Sequence, residues 1–81
     1  MKKFKSLRYF LLQSKVRLLY RDYCKLISKI NDPVLNEEYK KEIRSEFSKY
    51  ANIEDEDQID YLIADGRKRF PVMKQMIAML Q

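Results

Sequence analysis

The chain has 81 residues and a net charge of +5, enough for one small domain. A lone cysteine, Cys24, and the absence of histidine exclude an internal disulfide and a zinc-type site and remove the commonest general base. The single glycine excludes a Gly-rich phosphate loop, and no apolar run approaches the ~18 residues of a membrane span. No catalytic residue, no metal ligand and no transmembrane span are expected. What remains is a small, helical, basic binding module whose core supplies only a few kcal/mol unaided.

The charge is segregated. Residues 1–30 carry nine Lys/Arg against one acid, residues 31–57 four against nine, and residues 58–81 four against two. A basic first third implies an anionic partner: nucleic acid, an acidic membrane surface or an acidic protein. The stretch Met1–Phe10 is basic and acid-free, which suits a mitochondrial import signal, although it lacks the length of a cleaved presequence. Residues 1–5 are expected to be flexible.

The first predicted helix runs from about Ser6 to Ile30. Leu12, Val16, Leu19, Tyr23, Leu26 and Ile30 recur at steps of three and four, one apolar stripe along a helix. Arg17, Arg21 and Lys25 form an i, i+4, i+8 ridge beside it. Asn31-Asp32-Pro33 ends the helix, and Asp before Pro suits an N-cap followed by the first helical position.

The second helix is expected from Pro33 or Val34 to Tyr50, with Leu35, Tyr39, Ile43, Phe47 and Tyr50 on its inner face. After a short connection, Asp55 with Gln58 resembles a capping box. The third helix then covers about Glu56 to Leu80, with Ile59, Leu62, Ile63, Gly66, Phe70, Met73, Ile77 and Leu80 inward. Pro71 lies inside that pattern and predicts a kink or break near Gly66–Phe70. Three amphipathic helices with short loops make an all-α, antiparallel three-helix bundle, one domain over residues 1–81.

Gly66 sits on an apolar face, where it costs ~1 kcal/mol against Ala. It implies either close helix packing or space for a guest, and Met73, Met76 and Met79 add side chains that adapt to irregular volumes.

Leu19-Tyr20-Arg21 early in the first helix, followed by Arg44-Ser45-Glu46-Phe47 in the second, resembles the LYR-motif (complex I LYR) family of mitochondrial proteins. The likeness covers about residues 7–80; Pro71 departs from the family pattern. The resemblance implies a non-enzymatic adaptor in the mitochondrial matrix or at the matrix face of the inner membrane. Its implied partner is the mitochondrial acyl carrier protein, whose acyl-4'-phosphopantetheine chain would enter the bundle; no cofactor of the chain's own is implied. Carried onto this sequence, Leu19 and Phe47 would line the apolar channel, with Gly66 leaving room. Tyr20 and Arg21 would sit at its mouth. Arg44 and Lys25, and more weakly Arg17, Lys40, Lys41 and Lys68, would meet carrier acids. A second implied partner is a client: complex I first, or succinate dehydrogenase and iron–sulfur delivery.

Two other readings stay open on residues alone. A structural subunit of another large mitochondrial assembly (ATP synthase, complex III or the mitoribosome) would need no guest chain. A nucleic-acid-binding module fits the pI of about 9.4, but the acids of residues 31–57 deny the middle helix a phosphate-tracking face.

Overall fold

The computed structural model of the chain describes residues 6–80. The expected flexibility of residues 1–5 and the first half of the basic Met1–Phe10 stretch lie outside them. Each helix begins where a short polar side chain can take its free amides. Ser6 Oγ accepts from the Tyr9 amide at 3.1 Å and opens α1, Leu7–Ile27. Asp32 accepts from the Val34 amide at 2.9 Å and, with Pro33 in the first turn, opens α2, Pro33–Ser48. A 3-10 turn follows over Lys49–Asn52. Asp55 accepts from the Asp57 amide at 3.0 Å and opens α3, Glu56–Met79.

α1 stops three residues before the predicted Ile30. The side-chain amide of Asn36 donates to the carbonyls of Ile27, at 3.0 Å, and Ile30, at 3.2 Å. These two bonds tie the start of α2 to the end of α1 and the residues that follow it. Ile30 remains buried beyond the helix.

The core has two parts. Leu12 and Val16 of α1 pack with Ile59 and Ile63 of α3 and with Tyr50. Farther along, Leu19, Tyr23, Leu26, Ile27 and Ile30 pack with Ile43 of α2 and Ile77 of α3. Early residues of α1 thus meet early residues of α3, and late meet late. The two helices run parallel, with α2 antiparallel to both, which is the predicted three-helix bundle. Phe47 packs against both parts of the core. α2 and α3 each pack on α1 but scarcely meet each other.

α3 continues through Pro71 as one helix, so of the predicted kink or break near Gly66–Phe70 the break does not occur. Proline lacks the amide that would bond the Arg67 carbonyl one turn back. Both residues are exposed, so water can take that carbonyl, while Phe70, Met73 and Ile77 hold the helix against the core. Pro71→Ala restores the missing bond on an exposed face. It is expected to raise the unfolding free energy by about 1–3 kcal/mol, measured by urea denaturation.

Candidate functional site: a cleft between the second and third helices

The missing contact between α2 and α3 leaves a half-open cleft of about 640 Å³, within the usual size range of a ligand pocket. Tyr23 of α1 forms its floor. Phe47 of α2 and Tyr50 of the 3-10 turn complete that floor, with Ile43 on the α2 side and Leu62, Gly66 and Met73 on the α3 side. Tyr39, Val72 and Met76 continue the apolar lining, and Glu42, Glu46, Lys49, Asp65, Lys68 and Arg69 line it with charge.

The floor is aromatic. Phe47 stacks on Tyr50 at 5.3 Å between centroids and meets Tyr20 edge-on at 5.2 Å and Tyr23 at 5.8 Å. Tyr23 meets Phe70 edge-on at 5.1 Å. Such edge and offset contacts suit the ring quadrupoles. The polar tips of this floor are already satisfied. The Tyr23 hydroxyl donates to the Gly66 carbonyl at 2.6 Å, and the Tyr50 hydroxyl donates to the Leu62 carbonyl at 3.1 Å. The two acceptors lie one turn apart on α3, so the pair ties α3 to α1 and to the 3-10 turn. Burial disfavours the charged phenolate and raises both pKa values above the ordinary 10.0; Asp65 adds to the rise, while Arg69 opposes it.

Gly66 has ordinary helical backbone. Its lack of a side chain matters because a Cβ there would lie 2.7 Å from Leu19 Cδ2. The glycine therefore serves close packing against α1, and its other side opens on the cleft.

Around the rim, Arg69 pairs with Asp65 at 3.0 Å and Lys49 with Glu46 at 3.2 Å. Exposed pairs of this kind add little stability, but they balance the charge of the rim.

The cleft brings together three of the carrier-binding candidates named from sequence, Phe47, Gly66 and Lys68, with Met73 and Met76. Leu19 is buried against Gly66 from the α1 side and is not part of the cleft wall; it borders a shallower hollow with Lys15, Leu18, Asp22, Arg67 and Phe70. Tyr20 is half-buried against Phe47. Arg17, Arg21, Lys25, Lys40, Lys41 and Arg44 are exposed and lie outside the cleft. Arg17 Nη2 donates to Ser14 Oγ at 3.1 Å. At 3.6 residues per turn, the Arg17–Arg21–Lys25 ridge stands on the outer side of α1, roughly opposite the buried stripe rather than beside it. Sequence reasoning missed Tyr23 and Tyr50 as floor residues. Both were in the inward stripes, but spacing does not reveal which inward residues lack a partner opposite.

Among the described residues, no helix is long and apolar enough to cross a membrane. A family model described as Complex 1 protein (LYR family) matches residues 14–72. No curated protein and no solved structure gives a significant match.

The two phenol bonds yield a stability prediction. Tyr23→Phe and Tyr50→Phe should each lower the unfolding free energy by about 0.5–1.5 kcal/mol. Because both folded-state pKa values are raised, their contribution is fully present below pH 10.0 and is lost as pH rises through the folded values. Urea unfolding across an alkaline pH series should fall less steeply above that point in the double Tyr→Phe variant than in the parent chain.

Proposed function

Because this chain belongs to the LYR family, we propose that it is a non-enzymatic adaptor that binds acylated acyl carrier protein by taking the acyl-4'-phosphopantetheine chain into the cleft between α2 and α3. Members of the family are small adaptor-type proteins, mitochondrial in general and linked to complex I or iron–sulfur assembly. The observation that carries the finer reading is the open, apolar cleft floored by Tyr23, Phe47 and Tyr50 with Gly66 in its wall.

In this reading the two surfaces divide the work. The exposed cations Arg17, Arg21, Lys25, Lys40, Lys41 and Arg44 meet the acidic carrier and set orientation and on-rate. Tyr20 packs on Phe47, which lines the cleft. Leu19 backs the wall behind Gly66, and Lys68 lies at the rim. A guest chain of ~10 methylenes, at ~0.8 kcal/mol each, is worth on the order of 8 kcal/mol gross, against at most about 1 kcal/mol for one exposed ion pair. The acyl chain therefore dominates affinity. A ligand held only by the folded state also stabilises a domain with a small core.

The motifs resemble those of LYR-motif-containing protein 2, so complex I is the first choice of client, served as assembly factor or accessory subunit. The same reading has the protein act in the mitochondrial matrix or at the matrix face of the inner membrane.

Capture by immobilised carrier tests this. Acylated carrier should retain the protein and unacylated carrier should not; equal capture of both would sink acyl insertion. Arg21→Ala should bind acylated carrier severalfold more weakly while its urea midpoint stays unchanged, because Arg21 is exposed and outside the core. Phe47→Ala should cost acylated-carrier affinity at least tenfold, with a stability loss below the ~3–5 kcal/mol of a fully buried Phe, since Phe47 is only half-buried.

A further inference from the structure

The cleft is not uniform along its length. Its α3 wall runs from Leu62 to Met76, fourteen residue steps, or about 21 Å at ~1.5 Å per residue. The half around Tyr50, Phe47 and Gly66 holds five of the six charged lining residues: Glu46, Lys49, Asp65, Lys68 and Arg69. The other half, around Tyr39 and Ile43, has Val72, Met73 and Met76 facing it, with Glu42 as its one charge. Tyr39, Ile43 and Met73 join the same part of the core as Ile77, which places them at the far end of α3.

A guest with a polar attachment and an apolar tail gains most when the attachment lies in the charged half and the tail in the methionine half. Met73 is half-buried, whereas Met76 is 51% exposed, as is Val72 at 59%. The apolar lining ends there without a closed wall. A tail that reaches Met76 gains from each methylene it buries, and a longer tail overhangs into water and gains nothing more.

We infer that Met73 and Met76 form the tail end of the cleft, and that Met76 marks the acyl chain length at which affinity stops rising; this rests on the acyl-carrier reading above. Methionine suits such a position, because its unbranched, polarizable side chain fits tails that end at slightly different depths.

The experiment measures Kd for carrier loaded with saturated acyl chains of stepped length, against the parent chain and the variants Met76→Glu and Met76→Gln. In the parent chain, affinity should rise about fourfold per added methylene up to a break and then level off. In both variants the break should move to a shorter chain, with carriers shorter than that break bound as by the parent. Met76→Gln repeats the comparison without a new charge near an acidic carrier, and circular dichroism checks that each variant folds. A break at the same length in all three proteins overturns the inference, as does an equal loss at every length in both variants. Parent binding that is independent of acyl length also overturns it while leaving carrier docking intact. No binding of carrier at any length overturns the adaptor reading itself and the inference with it.

Discussion

α1 is the helix on which everything else leans. A three-helix bundle has three possible interfaces, and this chain completes two of them: α2 on α1 and α3 on α1. The inner face of α2 shows what the missing third one costs. Of Leu35, Tyr39, Ile43 and Phe47, only Ile43 is buried, because a helix covered from one side leaves the rest of its apolar stripe half open. α3 has the same half-covered look on its cleft side, at Leu62, Gly66 and Met73. The open interface is a direct consequence of one spine serving two neighbours. The phenols of Tyr23 and Tyr50 then hold α3 in place by its own carbonyls, without filling the space between the walls.

The same arrangement separates charge from grease. The cleft faces away from the outer side of α1, where Arg17, Arg21 and Lys25 stand exposed. Tyr20 packs edge-on against Phe47. Phe47 touches both parts of the core and also lines the cleft, so it is the side chain through which packing in one region can be felt in the other. A core of close-packed rings transmits displacement better than it absorbs it.

Much of the fold was legible because helical spacing is a statement about one helix at a time. Every residue of the α1 stripe from Leu12 to Ile30 is buried, as are Ile59, Ile63 and Ile77 of α3. The caps at Ser6, Asp32 and Asp55 stand where short polar residues precede apolar runs. The distance between two helices has no such signature. Leu62 read as ordinary core, yet it faces an opening, and Leu80, on the same stripe, is 50% exposed. Leu19 read as a channel residue and lies behind Gly66 instead, because the helix that carries the tripeptide turns that leucine toward α3. Pro71 is a related case: a local rule predicts a kink or a break, and tertiary packing on both sides of the proline keeps the helix from breaking.

The parallel course of α1 and α3 has an electrostatic consequence. Two helix macrodipoles lie side by side in the same sense, so both present their positive ends at one pole of the molecule. α1 has no acid in its own first turn, whereas α3 has Glu56 and Asp57. Those carboxylates reach across. Ser6 Oγ donates to Glu56 Oε1 at 2.8 Å, and Arg8 lies 3.1 Å from Asp57 and 3.7 Å from Asp60. One short acidic run, Glu54 to Asp57, thus supplies counter-charge for two helix starts, and α2, running the other way, offsets the remaining field along the bundle.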